Sequence, residues 1–271
     1  MFVLASHVIA VAALTVGAAW DLATTEVPDH LPATAVVAGL VLHGVKSFLS
    51  GELTPVFWSV TIGSVFSAYG WGLYFSGLWG GADAFSMSAL GFAAPYSLAG
   101  PGYSHFLGLF INVMFVGFVY TMVYAVFRAA TEGGFLKNWF EDLAARKGRI
   151  LAVSAVSAFL VSLTLLLDSA SLYFFLFVPG YLLYRFLKVL EEEAMREEVK
   201  AERVEPGQVV EAEGADDRIR GISEEEIDEL GDETVVVKTG VRFVPVFPVA
   251  LVLTDLSIGG TRLIMFLGSY L

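Results

Sequence analysis

The sequence predicts an all-α polytopic membrane protein with about eight transmembrane helices (six to eight) and a small cytoplasmic insert before the last helix. The first observation is composition: 56% of the 271 residues are hydrophobic and 16% are charged, whereas soluble domains carry about 25% charged residues. The second is the distribution of charge. Residues 191–235 hold 18 Asp and Glu against 5 Lys and Arg, a net charge of −13, and the remainder of the chain has a net charge of +1. One hydrophilic segment in a nearly neutral, apolar chain is typical of a membrane protein with a single soluble insert.

Composition also excludes several classes of function. The chain has no cysteine, which excludes disulfides, thiol catalysis and iron–sulfur clusters. Its four histidines are scattered along the sequence, so we expect no metal site and no cofactor. The net charge of −12 excludes a nucleic-acid-binding protein that uses a basic face.

A helix that crosses a bilayer needs about 20 mostly apolar residues. Such runs are predicted at 2–20, 32–49, 56–77, 83–99, 105–128, 149–167, 171–190 and 244–269. The run at 83–99 is short, and the stretch 149–190 also fits one long helix followed by a re-entrant piece. The predicted units are a helical bundle (1–190), an acidic insert (191–243) and a final transmembrane helix (244–271).

Basic residues set the predicted orientation. Fourteen of the sixteen Lys and Arg residues lie between Arg128 and Arg242, and cytoplasmic loops of membrane proteins are enriched in these residues. The loop 129–148 and the insert are therefore predicted to face the cytoplasm. Counting crossings from Arg128 places both chain termini outside, in a multi-pass protein of the cell membrane.

The loop and the insert have patterns of their own. Residues 134–148 place apolar side chains on one face at helical spacing, which predicts a helix that either lies on the membrane interface or covers the top of the bundle. The insert is predicted to begin with a charged helix over 191–203 and to be mobile over 204–220. A capping box at 223–226 predicts a second short helix, and residues 235–237 are a strand candidate.

Four carboxylates fall within or at the edge of predicted spans, where an ionisable residue is a functional hypothesis. Asp168 lies in a predicted outer turn, which accounts for it. Asp255 falls in the middle of the last span, on the same helical face as Arg262. We expect a packing or pairing role for Asp255, with Arg262 reached through an intermediate group. Asp21 and Asp83 remain as a candidate pair.

Asp21 ends the first predicted span and Asp83 opens the fourth, so two crossings separate them and both are predicted at the cytoplasmic face. Two carboxylates in a partly dry site share one proton, because like charges at close range cannot both ionise. The ionised member then accepts a proton from water, and the protonated member donates one to a substrate carbonyl. This is the chemistry of aspartic proteases. The alternative is that Asp83 is only a helix cap and Asp21 only a polar flank of its span.

Two short motifs contain these residues. The segment from Asp21 to Asp29 has the sequence DLATTEVPD, and the segment from Gly80 to Ala84 has the sequence GGADA. They resemble the D-x-x-x-x-x-I-P-[ND] run and the GxGD motif of the archaeal prepilin and preflagellin (archaellin) peptidases, members of the type IV prepilin peptidase family of GxGD membrane aspartyl proteases. The resemblance implies that Asp21 and Asp83 are the catalytic residues.

The remaining motif residues have supporting roles in this resemblance. The resemblance implies that Gly80, Gly81 and Ala82 shape the backbone that positions Asp83. Ala82 replaces the second Gly of GxGD, which would strain the turn only at a positive φ. Glu26 and Asp29 are expected at the periphery of the site or as solvated loop acids, with Asp29 as the cap of the second span.

The resemblance also implies a substrate. It is an archaellin or type IV pilin-like precursor with a class III signal peptide, in which a short basic leader precedes an apolar helix, and it is cut at the cytoplasmic membrane face before that helix. The acidic insert is then either a solvated connector or a source of negative potential that attracts the basic leader. The cysteine motif and N-methyltransferase loop of bacterial relatives are absent, so we expect peptidase activity alone.

Two other functions remain compatible with the sequence. A cation- or proton-coupled transporter would use intramembrane carboxylates, and Asp255 is the one acid predicted near the midplane. The position of the Asp21–Asp83 pair at one face and the lack of a convincing internal repeat argue against a transporter. A catalytically inactive assembly protein of the pilus machinery would not need both aspartates.

Overall fold

A computed structural model gives the fold of the chain. It describes residues 1–24, 26–98, 103–131, 133–166, 177–194, 196–201, 204, 209–211, 222, 224–230, 234–238 and 240–256. In this part of the chain the helices are α1 (Phe2–Thr24), α2 (His30–Ser50), α3 (Thr54–Phe75), α4 (Gly81–Ala93), α5 (Tyr103–Thr131), α6 (Phe135–Ala145), α7 (Lys147–Leu166), α8 (Phe177–Ala194), α9 (Glu224–Leu230) and α10 (Val246–Asp255). The strands are β1 (Arg196–Lys200), β2 (Val209–Glu211) and β3 (Thr234–Lys238).

The predicted all-α polytopic membrane fold is confirmed. Among the described residues, α1, α2 and α5 are long and apolar enough to cross a membrane. The helices α3, α4, α7, α8 and α10 occupy the other predicted spans, although α4 has only 13 residues. The predicted turn at Asp168 and the end of the last predicted span lie outside the described residues.

Small residues allow α4 to pack closely against two neighbouring helices. A Cβ atom at Gly91 would lie 2.8 Å from the Cα atom of Gly63 in α3, and one at Gly39 in α2 would lie 2.7 Å from the Cα atom of Ala93. No side-chain carbon fits at these distances, and membrane helices commonly approach each other at such small residues. α4 is therefore held between α2 and α3, with Asp83 near its N-terminal end.

The last described helix packs into the core that the first half of the chain forms. Phe247, Ala250 and Leu251 of α10 are fully buried, and they belong to one apolar cluster with residues of α1, α4 and α5. α10 contacts α5 and α1, although the whole insert separates it from α5 in the sequence. This packing returns the chain to the end of α1 just before α10 begins.

The predicted loop helix is confirmed as α6. Phe135 is buried, and Trp139 packs edge-on against Phe186 of α8 with ring centroids 5.5 Å apart. Leu136 and Phe140 remain exposed. One part of the apolar face therefore covers α8 and the other faces outward, so the two sequence interpretations apply to different side chains of the same helix.

A charged bridge also joins α6 to α8. Asp142 accepts hydrogen bonds from Arg185, from Nε at 2.8 Å and from Nη2 at 2.6 Å, and a further one from Arg146 Nε at 2.8 Å. Arg185 is buried. The hydrogen bonds from Arg185, followed by those from Arg146, lower the pKa of Asp142 to about 2.

The insert contains a small antiparallel sheet with the strand order β1-β3-β2. The strand predicted at 235–237 is confirmed as β3, and the short helix predicted after 223–226 is confirmed as α9. β2 lies within the segment 204–220, most of which falls outside the described residues, as does Ser223 of the predicted capping box.

The predicted charged helix over 191–203 is wrong in its second half, because α8 ends at Ala194 and β1 begins at Arg196. Val199 of β1 stands opposite Val235 of β3, and both belong to an apolar cluster. Burial of these valines outweighs the helical preference of the Glu and Lys residues around them.

Replacement of Asp142 by Asn is expected to destabilise the α6–α8 contact by about 1.5–3 kcal/mol, the usual contribution of hydrogen bonds to charged groups. The pKa of Asp142 is lowered in the folded protein. The bridge therefore stabilises fully above a pH of about 4, near the pKa of an unfolded Asp, and this contribution is lost as the pH falls towards about 2. The Tm difference between wild type and Asp142→Asn, measured by circular dichroism in detergent, should shrink below a pH of about 4.

The matched control is Glu141→Gln, which removes a neighbouring carboxylate of the same helix. Glu141 and Lys137 form an exposed pair at 3.8 Å, and exposed pairs contribute little. A Tm difference for Asp142→Asn that is independent of pH would contradict the assignment.

Candidate active site

Asp21 lies in the last turn of α1 and is buried, with 6% of its surface exposed. Its Oδ2 atom accepts a hydrogen bond from the backbone N–H of Val244 at 3.2 Å. Val244 is also buried and immediately precedes α10. The first and last described helices are therefore joined at the carboxylate of Asp21.

Asp83 is the third residue of α4, and it is partly exposed. Its Oδ2 atom accepts a hydrogen bond from the backbone N–H of Gly80 at 3.2 Å, which is a local helix-capping interaction. Gly80 has a φ of −76°, and Ala82 lies within the helix, so Ala at the second glycine position of the motif causes no strain. The left-handed turn before α4 is made by Gly77, at a φ of +70°, where a glycine is favoured.

The fold brings Asp21 and Asp83 to the same end of the bundle. α1 contacts α4, and the charge of Asp21 acts on the carboxyl of Asp83. Two groups that are 62 residues apart in the sequence therefore lie within electrostatic range of each other. The arrangement agrees with the expectation from the count of crossings, and the catalytic role of the pair remains a proposal.

Arg242 is a residue of this site that the sequence interpretation missed. Its Nη1 atom donates a hydrogen bond to the backbone carbonyl of Leu22 in the last turn of α1, and its positive charge acts on Asp21. The hydroxyl of Tyr120 in α5 lies within electrostatic range of both Asp21 and Arg242. In the sequence, Arg242 stands out only as the last basic residue before the final apolar run. That position indicates membrane orientation and does not indicate a contact with α1.

Aromatic side chains pack together where the segment before α4 meets the segment before α10. Trp79, four residues before Asp83, packs against Phe243 and Phe247 with ring centroids 5.5 and 5.9 Å apart. On its other side Trp79 packs against Tyr69 of α3 at 5.9 Å. The segment before α10 is thus fixed to the segment before α4 by apolar contacts as well as by the Val244 hydrogen bond.

The two peripheral acids lie on the loop between α1 and α2. Glu26 and Asp29 are both exposed. Asp29 occupies the N-cap position of α2, but its side chain makes no capping hydrogen bond. The prediction that Asp29 caps the second span is therefore wrong for its side chain. The physical reason is that Asp29 has helical backbone angles, whereas a capping side chain usually belongs to a residue with extended angles.

Asp255 lies at the other end of the bundle. Its predicted relation to Arg262 falls outside the described residues, but a different partner is present. The Nδ1 atom of His7 lies 2.9 Å from both carboxylate oxygens of Asp255. A pairing role for Asp255 therefore agrees with the structure, with a partner from the first helix.

Both aspartates lie within a part of the chain that is similar to a known family. Residues 8–126 match the type IV leader peptidase family. The match confirms the predicted resemblance to a prepilin-type peptidase family and supports a leader peptidase function. It covers less than half of the chain, so α10 and the insert lie beyond the leader peptidase region. No curated protein and no solved structure matches the chain.

Replacement of Arg242 by Ala is expected to loosen the segment that places the Val244 amide on Asp21. Arg242 binds the carbonyl end of α1, where a positive charge is favoured, and a charge-assisted hydrogen bond contributes about 1.5–3 kcal/mol. Hydrogen–deuterium exchange at the Val244 amide should therefore be faster by about 10- to 150-fold. Arg242→Lys should restore part of the protection.

The matched control is Arg149→Ala, which removes an exposed arginine at the start of α7. Unchanged exchange at Val244 in Arg242→Ala would show that the apolar contacts of Phe243 are sufficient to hold this segment.

Proposed function

We propose that this protein is an aspartyl endopeptidase of the GxGD class. It removes the short basic leader from archaellin or type IV pilin-like precursors at the cytoplasmic membrane face. Asp21 and Asp83 act as its catalytic pair, and Glu26 and Asp29 lie at the periphery of the site. The leader peptidase match supports the reaction class, and the substrate follows from the family to which the motifs point.

The observation that carries the proposal is the approach of Asp21 and Asp83 at one end of the bundle, within the leader peptidase region. Each carboxylate accepts a backbone hydrogen bond, from Val244 and Gly80 respectively. These backbone N–H groups hold the two carboxylates in place through their Oδ2 atoms. The Oδ1 atom of each carboxylate can then take part in proton transfer. Asp21 is buried and Asp83 is partly exposed, so the two groups differ in environment, as the two members of an acid–base pair do.

The pair performs hydrolysis with a water nucleophile. The ionised carboxylate accepts a proton from water as the water oxygen bonds to the carbonyl carbon of the scissile peptide. The protonated carboxyl donates its proton to the carbonyl oxygen, which gives a tetrahedral diol. When this intermediate collapses, the C–N bond breaks, the carboxyl that took its proton from water donates it to the leaving nitrogen, and one hydroxyl of the diol returns its proton to the other carboxylate. The proton inventory of the dyad is restored at the end of the cycle.

The position of the pair suits a precursor that lies in the membrane. Asp21 is at the end of α1 and Asp83 is at the beginning of α4, which supports a site at the membrane surface rather than at the midplane. The apolar helix of a precursor can remain in the bilayer while its leader extends into water. A cut at the surface then separates a basic leader from an apolar helix.

The first test is cleavage of a purified pilin or archaellin precursor in liposomes. Asp21→Asn and Asp83→Asn preserve the size of each side chain and an oxygen that accepts the backbone hydrogen bond, so the fold should be maintained. Each variant should lose at least about 10²-fold in kcat, since general acid–base catalysis by one residue contributes about 10²–10⁴-fold. Glu52→Gln, which removes an exposed acid between α2 and α3, is the control and should cleave as the wild type does.

Retention of activity by either Asn variant would contradict the dyad. A wild-type protein that cleaves no precursor would contradict the peptidase, and the transporter with intramembrane carboxylates would then become the leading alternative.

The acidic insert is proposed to attract the basic leader. β3 ends at Lys238, only a few residues before Arg242 and Val244, so the insert leads directly into the catalytic site. Glu225 and Asp228 of α9 are exposed. Negative potential next to the site would raise the local concentration of a basic peptide.

The double variant Glu225→Gln/Asp228→Asn is expected to raise KM for a precursor with a basic leader at low ionic strength and to leave kcat unchanged. The difference should disappear at high salt, because the Debye length falls from about 30 Å at 0.01 M to about 3 Å at 1 M. A precursor with a neutral leader should show no difference. An unchanged KM at low ionic strength would exclude this role and leave the insert as a connector.

A further inference from the structure

The end of the bundle away from Asp21 holds a second cluster of polar side chains. His7 of α1 is 14 residues before Asp21, which corresponds to about 21 Å along the helix. Near it lie His105 of α5 and Asp255 of α10. These three residues come from the beginning, the middle and the end of the described chain.

His7 is held by Asp255. The exposed fractions of the two side chains are 2% and 14%. The Nδ1 atom of His7 is 2.9 Å from both oxygens of Asp255, so Nδ1 donates to the carboxylate and Nε2 keeps its lone pair. Within the described residues, this Nε2 atom is buried without a hydrogen-bond partner.

His105 has the same arrangement. Its exposed fraction is 5%, and its ring donates a hydrogen bond to the backbone carbonyl of Ala94. Its Nε2 atom is also buried with no partner among the described residues. The centroids of the His7 and His105 rings are 5.8 Å apart. A buried polar atom without a hydrogen-bond partner is destabilising, so two of them on neighbouring rings require an explanation.

A bound cation explains both atoms. One donor atom from each of His7, His105 and Asp255 lies within 4.8 Å of the other two, so the two rings are close enough to share one ion with Asp255 beside it. The ligands of a tetrahedral zinc ion are about 3.3 Å apart. In metal sites one ring nitrogen of a histidine binds the ion while the other donates to a carboxylate or a carbonyl, as the histidines do here. Imidazole ligands suit Zn²⁺ and similar ions.

We propose that the Nε2 atoms of His7 and His105 bind a divalent transition-metal ion of the Zn²⁺ class, while Asp255 orients His7 through its Nδ1 atom. The ion links α1 to α5, and Asp255 adds α10, at the end of the bundle away from the aspartate pair. Two protein ligands leave two positions of a tetrahedral site for water. Because the ion joins segments that are distant in the sequence, its role is to stabilise the folded bundle. The site is independent of the proposed peptidase reaction.

The test is metal binding by the full-length chain in detergent, without a histidine tag. Equilibrium dialysis against Zn²⁺ should give one ion per chain, and Co²⁺ should give the visible absorption bands of a tetrahedral complex. Zn²⁺ should also raise the Tm, because an ion that binds only the folded state stabilises it. His7→Gln and His105→Gln should each weaken binding by at least about tenfold, the loss that even an outer partner of a ligand causes, and should abolish the Tm shift.

His30→Gln is the matched control, because His30 is an exposed histidine at the start of α2. This variant should bind the ion as the wild type does. A wild type that binds no ion, or a loss of affinity that is equal in His30→Gln and in the two cluster variants, would overturn the proposal.

A variant that replaces one metal ligand by another tests the site even if the Gln variants fail to fold. The chain has no cysteine, so His105→Cys introduces a single thiol. In the Co²⁺ complex this thiolate should add a near-ultraviolet charge-transfer band that the wild type lacks, and its absence in a folded variant that still binds Co²⁺ would exclude residue 105 as a ligand. Asp83→Asn should bind the ion normally, so failure of the metal site and failure of the peptidase are distinguishable.

Discussion

The hydrogen bond from Val244 to Asp21 is the contact on which the arrangement of the site depends. It joins residues that are 223 positions apart, and it exists because Phe247, Ala250 and Leu251 bury α10 against the core. After α5 the chain forms α6 to α8 and the small sheet of the acidic insert. The packing of α10 then returns it to the end of α1. Arg242 strengthens the same junction by binding the carbonyl end of α1.

This junction also shows that the candidate site includes residues beyond the part of the chain that matches the family. The leader peptidase region ends at residue 126, yet Arg242, Phe243 and Val244 contact the groups next to the aspartates. The site is therefore completed by a segment outside that region. A fragment limited to 8–126 would contain both aspartates but would lack the donor to Asp21 and the aromatic partners of Trp79, Phe243 and Phe247.

Sequence reasoning succeeded where local pattern or simple counting decides the outcome. Apolar runs predicted the membrane helices, and the parity of crossings predicted that Asp21 and Asp83 share one end of the bundle. It failed where the deciding partner is distant. β1 follows a run of Glu and Lys that favours helix, and only the valines of β3 make it a strand. The pairing of His7 with Asp255 spans 248 positions, and no periodicity within one helix could predict it. The same limitation concealed Arg242, because its partner is a backbone carbonyl of the first helix.

The glycine contacts of α4 determine how the distance between the two aspartates can change. Gly39 and Gly91 bring α4 against α2 and α3 at backbone distance, and α1, which carries Asp21, packs against both α2 and α4. The helices that carry Asp21 and Asp83 therefore have little room to shift relative to each other. A change in the distance between the two carboxylates is then left to rotation of their side chains and to the segment that enters α10, where the Val244 amide binds Asp21.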